Sequence, residues 1–277
     1  MRIGFTSDLH GRDILYTQID SLLRIEPVDL LILGGDLFPD GVQSDPGSQL
    51  QYVRETFLPT VAGWRKRHTG LQVACILGNH DWRKTEDALQ EAEKAGDLVL
   101  LRPQAAWTHG GVAFIGFSYT PPSPHWLKDF ERLDFAQDPV PDFPGWESGA
   151  DGEARPVTAG EHFTKQRSLD EELRAIARPK DPWILVCHSP PYGGRLDRLP
   201  TIEQPLGSRA VARFIATTKP LCALHGHIHE APEVTGYFKD TIEGVACINP
   251  GQVGDRLHAV LFEAERPAET LKHTVFG

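Results

Sequence analysis

Cysteine is scarce in this chain, and its spacing offers nothing to a metal or a disulfide. Cys75, Cys187, Cys222 and Cys247 each sit inside an apolar run, and no CxxC occurs. That removes thiolate zinc knots and a disulfide framework, and leaves four small core residues of a reduced protein. Glycine-rich phosphate loops are missing as well: neither GxxxxGK followed by Ser or Thr nor GxGxxG is present. Nucleotide binding through backbone amides therefore has no support. No apolar run reaches the length of a membrane span, and the opening MRIGFTSDLH lacks the long apolar core of a signal peptide. The expectation is a cytoplasmic protein with no membrane segment. Basic residues are outnumbered, 28 Lys and Arg against 38 Asp and Glu, for a net charge of −10. Duplex nucleic acid is then an unfavoured partner, because neutralising phosphates needs a basic face.

What is present suits a soluble globular protein. The chain has 277 residues, 40% of them hydrophobic and 24% charged, enough to bury a large core. No linker or internal repeat divides it, so a single domain over 1–277 is expected.

Short apolar runs recur, and several end in a polar cluster. RIGFTSDLH ends in Asp8 and His10, DLLILGGDLF in Asp36, QVACILGNHD in Asn79, His80 and Asp81, PWILVCHSPP in His188, and PLCALHGHIH in three histidines at alternate positions, His225, His227 and His229. Helical stretches at about 13–25, 48–67 and 85–95 separate the early runs. Strand, helix, strand in succession implies right-handed crossovers and largely parallel pairing. In such sheets the loops after the strands gather along one edge, where ligands bind. Five clusters far apart in sequence are thereby expected to meet. Carboxylates, imidazoles and one carboxamide without thiolate make a site for manganese, iron, zinc or magnesium.

These blocks, Asp8-x-His10, Gly35-Asp36, Gly78-Asn79-His80-Asp81, His188 and Gly226-His227-x-His229, resemble the calcineurin-like metallophosphoesterases, and they occur in order over residues 8–229. The resemblance implies a four-layer α/β/β/α sandwich and a phosphoesterase with two divalent metal ions, cleaving P–O bonds by attack of metal-bound hydroxide. It puts Asp8, His10 and His229 on one ion, Asn79, His188 and His227 on the other, and Asp36 between them. His80 would donate a proton to the leaving oxygen, with Asp81 orienting it or else serving as a turn or N-cap aspartate. His225 would be packed or support the ligands, and Gly226 would give the turn its freedom. A small phosphoester, a phosphodiester or nucleotide-type ester, is the favoured substrate. A nuclease of the same fold and a non-catalytic scaffold of the retromer-component type are the alternatives.

Other features carry less. Tyr192 and Arg195, in the loop after His188, are candidate substrate contacts, guanidinium being suited to phosphate. Glu230 could bond a ligand ring, and Asn249, in INPGQVG, could touch the site. His68, His109, His125, His162, His258 and His273 have no ligand-like context and read as surface or satisfied core positions. The segment at about 119–161, rich in proline and aromatics, interrupts the pattern as an insertion. Its aromatic content argues against disorder, and it is expected to border the metal site and shape substrate choice. Downstream, EVTGYF, GVACINP and LHAVLFE read as strands of the second sheet.

Overall fold

Two six-stranded sheets stack face to face, each covered outside by helices. The computed structural model describes every residue except Val42 and Asp181. In chain order the strands are β1 (Arg2–Thr6), β2 (Leu30–Gly34), β3 (Gln72–Ile76), β4 (Val99–Leu100), β5 (Trp107–His109), β6 (Val112–Phe117), β7 (Gly145–Ser148), β8 (Ala154–Val157), β9 (Trp183–Cys187), β10 (Cys222–Leu224), β11 (Lys239–Ile242), β12 (Val245–Ile248), β13 (Val260–Glu263) and β14 (Lys272–His273). The first sheet runs β14-β13-β1-β2-β3-β4 and the second β11-β12-β10-β9-β6-β5. Both are parallel at their centres; the second has antiparallel pairs at both margins and the first only on its β14-β13-β1 side. β7 and β8 form a separate hairpin.

Alternation along the strands produces the layers. In β2, Leu31 and Leu33 join the helix-side core, while Leu30 and Ile32 face the second sheet. Across from them lie Phe114, Ile184, Val186 and Leu224. The other face of the second sheet packs Ile115, Leu185 and Ala223 on helix residues Val211 and Ile215. Central strands covered on both faces read as continuous apolar runs, and β2 and β9 are buried throughout. On the first sheet's outer face, helix Asp13–Ile25 buries Leu15, Tyr16, Ile19 and Leu23, a stripe of helical spacing.

Three expectations need correction. LHAVLFE does not join the second sheet: β13 pairs antiparallel with β1 in the first. EVTGYF is not a strand, because Ala231–Thr235 forms a short helix opened by Pro232 and closed by Gly236 at φ 76°. Proline is tolerated in a first helical turn and glycine takes the left-handed closing position without strain, so these two residues outweigh the β-branched content. Finally, the five polar clusters do not share one sheet edge. They come from β1, β2 and β3 of one sheet and β9 and β10 of the other, whose parallel strands end side by side.

Within residues 119–161 the stretch 127–134 is buried, while 136–158 is half-buried or exposed. Lys128 and Glu131 are fully buried and paired at 2.8 Å, and the Lys128 ammonium also donates to the carbonyls of Ser123 and His125. Asp129 accepts the Arg83 and Ser148 N–H groups, and Asp134 accepts those of Arg209 and Ala210 at the start of helix Arg209–Thr218. Deleting the segment would therefore strip a helix cap and a loop anchor, so its role is better probed by point substitutions.

Candidate metal centre

The loops leaving these strands are strained where the polar residues sit. Seven non-glycine residues among those described have positive φ, and four are Asp8 (58°), His10 (45°), Asp36 (51°) and His227 (67°). Side chains rarely occupy this region, at a cost of about 1–3 kcal/mol each, and it persists where surrounding bonds over-determine it. Such bonds are present. The N–H of Asp8 donates to the Gly35 carbonyl and that of His10 to the Asp36 carbonyl, at 3.0 and 2.9 Å. The His227 N–H donates to Asp8 Oδ1 at 3.0 Å, and the Gly226 N–H to the His188 carbonyl at 3.0 Å. The two sheets are thus stitched together at the site itself.

Asp36 lies at the centre. Its Oδ1 accepts the His80 N–H at 2.8 Å, and its Oδ2 is 3.2 Å from His188 Nε2. His188 is held by Nδ1, which donates to the Gly34 carbonyl at 2.8 Å, leaving Nε2 as the free ligand atom. Two groups bring their donor atoms within 4.8 Å of one another: His10, Asp36 and His80, and Asp36, His188 and His227. The rings of His10 and His229 are 5.9 Å apart, centre to centre. Asp8 Oδ2, Asn79 Oδ1 and His188 Nε2 are buried without a hydrogen-bond partner among the described residues. Buried polar atoms normally have partners, so unpaired donor atoms on three strand ends fit cations. Glycine keeps the space open: a Cβ on Gly78 would lie 2.2 Å from Asp36 Oδ1 and 2.5 Å from His188 Nε2.

Electrostatics agree with a cation cradle. Burial opposes the charged form of His188 and His10, yet both are pushed up to about 9, His188 by the carboxylates of Asp36 and Asp8 and His10 by its hydrogen bond to Asp40 and then by the charges of Asp36 and Asp8. Burial and the neighbouring His188 push His227 down to about 3. Asp36 is held well below the usual carboxylate range, the imidazoles around it overcoming its burial.

Several assignments shift. Asp81 does not orient His80. It is fully buried and accepts the N–H groups of Leu37, Phe38 and Gly78 at 2.9–3.2 Å, bracing the loops that carry Asp36 and Asn79. Asp40 takes the expected place, its Oδ1 accepting from His80 Nδ1 at 2.7 Å and His10 Nδ1 at 3.2 Å. Both bonds hold the Asp40 carboxyl far below its ordinary range. Replacing Asp81 with alanine leaves three buried N–H donors unpaired and should lower stability by roughly 3 kcal/mol. Urea unfolding of the cation-free protein measures this, and a loss under about 1 kcal/mol would remove the bracing role.

The turn after β10 also differs in detail. Gly226 is required for close approach rather than freedom, since a Cβ there would lie 2.0 Å from Ser7 Oγ; the left-handed residue is His227. His225 is buried, and its Nδ1 reaches the carbonyls of Cys187 and Ser189 that flank His188. Asn249 donates to the Gly226 and Ile228 carbonyls and so fixes the same turn. Glu230 Oε2 lies 3.2 Å from His229 Nδ1. Tyr192 and Arg195 are exposed, and among the described residues neither hydrogen-bonds to the cluster; the Arg195 guanidinium lies 3.9 Å over the Tyr237 ring.

Sequence reasoning missed Asp40, His125 and Gln49. Asp40 lies four residues beyond Asp36 in the same strand-end loop, the one signal that pointed to it. Gln49 donates to the His80 carbonyl and accepts the Trp82 N–H. His125, read as a surface or satisfied core position in a segment expected to border the site, stacks on His80 with ring centres 3.7 Å apart.

Comparison with known proteins agrees with this fold. One crystal structure aligns with all of this chain and 99% of its own at 14% identity, with a TM-score of 0.63. The crystal structure of TT1561 of Thermus thermophilus covers 100% of this chain and 99% of its own at 16% identity, with a TM-score of 0.58. At such identities the likeness concerns the fold alone. Curated proteins give no match. The model of the calcineurin-like phosphoesterases matches residues 1–231, most of the chain and every block of the cluster, and the chain belongs to that family.

Proposed function

We propose that this protein is a two-cation phosphoesterase acting on a phosphodiester or small nucleotide-type ester. The observation that carries the reading is the set of unpartnered buried atoms on three strand ends, Asp8 Oδ2, Asn79 Oδ1 and His188 Nε2, the last of them 3.2 Å from Asp36 Oδ2. In this reading Asp8, His10 and His229 hold one ion, and Asn79, His188 and His227 the other. Asp36 is shared, an ionised carboxylate having two oxygens with several lone pairs. Nitrogen and oxygen donors suit manganese, iron, zinc or magnesium. When bound, such a pair supplies Lewis acidity toward phosphoryl oxygens and a water ionised near neutrality.

The chain's own residues do the rest. Asp8 is oriented by the His227 N–H on Oδ1, so Oδ2 is the atom offered. His188 Nδ1–H is committed to the Gly34 carbonyl, which fixes the lone pair on Nε2. Although burial opposes it, the charge of Asp36 and the bond to Asp40 raise the His80 pKa, favouring imidazolium. With Nδ1–H bound to Asp40, His80 presents Nε2–H to the leaving oxygen as general acid. His125 and Trp126 narrow the approach to His80, which supports a small ester over a phosphoprotein. The reading is tested by elemental analysis of protein purified without chelator, followed by a phosphoester panel with each cation restored. A protein that takes up fewer than two equivalents of manganese at saturation, or cleaves no phosphoester with any cation, overturns it.

Cation binding should depend on pH in a stated direction. His10 and His188 titrate at about 9 in the cation-free protein, so near pH 7 both carry protons that ligation must displace. His227, at about 3, is already neutral. Affinity should therefore rise from pH 6 to pH 9, with close to two protons released at pH 7. Calorimetry in two buffers of different ionisation enthalpy counts those protons. Equal affinity at pH 6 and pH 8 would contradict the assignment.

A further inference from the structure

Next to His80 the 119–161 segment builds an aromatic wall that the chemistry above does not use. His125 stacks on His80, Trp126 follows with its ring 5.1 Å from His125, and Trp82 lies 5.5 Å from Trp126. Beyond Trp126 opens a cavity of about 490 Å³ lined by Trp126, Pro144, Trp146, Val157 and the Gln43 side chain. That volume is within the range of small-molecule sites, about 300–1,000 Å³. The two tryptophans are held in register, because the Trp146 N–H donates to the Trp126 carbonyl and the Lys128 N–H to the Trp146 carbonyl, both at 2.8 Å. Below them lies the buried Lys128–Glu131 pair. The backbone that carries both indoles is set before any ligand arrives.

We propose that this cleft receives a nucleobase carried by the leaving alcohol of a phosphodiester, an inference that rests on the phosphodiesterase reading of the adjoining centre. Flat indole faces suit a planar ring, and the Gln43 carboxamide offers a donor and an acceptor to its edge. Among the described residues lining it the cleft has no cation for a second phosphate, and its one carboxylate, Glu161, is engaged with Thr158 at the start of helix Ala159–Lys165. A base is therefore favoured over a polyphosphate. The leaving side is indicated by position, since His125 and Trp126 continue outward from His80, the proton donor to the departing oxygen. Water adds to phosphorus, the P–O bond to the nucleoside breaks, and the His80 proton goes to the nucleoside oxygen.

The test compares two methyl phosphodiesters of primary alcohols with similar acidity, the 5′-adenosyl ester and the tetrahydrofurfuryl ester, which keeps a sugar-like ring but no base. With manganese-loaded protein, kcat/KM should favour the adenosyl ester by on the order of 5–150-fold, the range of one base stacked on an aromatic side chain. Adenosine and methyl phosphate should be the products, and Trp146→Ala should reduce the ratio between the two esters toward one. Equal rates for the two esters in the wild type overturn the proposal, and release of AMP and methanol overturns the leaving-side placement. Should neither ester nor bis(p-nitrophenyl) phosphate be cleaved with any cation, the phosphodiesterase reading fails on its own. The cleft is then judged by binding alone. Saturable quenching of tryptophan emission by adenosine, weakened in Trp146→Ala, supports the base site, and its absence overturns it.

Discussion

Asp36→Asn is expected to reduce cation affinity at both positions by on the order of 100-fold or more, and activity with it. Even outer partners of metal ligands are worth about 10–100-fold in affinity, and Asp36 is proposed as the ligand common to both ions. The amide keeps the shape and can still accept the His80 N–H that Asp36 Oδ1 now accepts, so the fold should survive. What disappears is the central charge. His188 and His10 owe their elevated pKa values in part to that carboxylate, and in the cation-free variant both should titrate well below their present position near 9. Imidazole NMR titration reads this without any metal or substrate. His10→Ala, by contrast, should weaken one position while the group of Asp36, His188 and His227 keeps the other. A variant Asp36→Asn protein that still binds two manganese equivalents at wild-type affinity would remove Asp36 from its central role.

The convergence of the polar clusters was legible because they sit at strand ends. Each of Asp8, Asp36, Asn79, His188 and His227 follows a buried strand within three residues, and parallel neighbours deliver such positions to one end of each sheet, where the two sheets meet. The helix at Asp13–Ile25 was legible too, its apolar residues repeating at helical intervals over a long stretch. Two-sheet partnering was not legible. LHAVLFE is as apolar as any strand of the second sheet, and nothing local to it encodes the antiparallel pairing with β1 across more than 250 residues. Side-chain partnering escaped for a related reason. Asp81 adjoins His80 in the chain but turns inward to three backbone amides, while Asp40, forty residues away, turns toward the ring. Adjacency along the chain said little about which carboxylate faces which imidazole. His125 illustrates the limit most plainly, because its place beside His80 is set by the fold of an irregular segment, anchored through Lys128, Asp129 and Asp134, with no periodicity to read.

His80→Ala should lower the rate by on the order of 10²–10⁴-fold while leaving both cations bound, if its imidazole protonates the leaving oxygen. The loss should be large for alkyl and nucleoside esters, whose alkoxides are poor leaving groups, and small for p-nitrophenyl esters, which depart without a proton. Asp40→Asn separates donation from mere placement. Asp40 Oδ1 accepts from His80 Nδ1 at 2.7 Å and, together with the charge of Asp36, keeps the ring protonated against its burial. Loss of that carboxylate lowers the His80 pKa, so the fraction of protonated acid falls as pH rises through the new, lower value. The descending limb of the kcat profile for poor leaving groups should consequently move to lower pH in Asp40→Asn, with little movement for p-nitrophenyl esters. Asp40 also bonds His10 at 3.2 Å, so manganese content must be measured alongside, and a full complement keeps the comparison clean. Equal losses for good and poor leaving groups in His80→Ala, with an unmoved limb in Asp40→Asn, would leave His80 as an electrostatic or positioning residue.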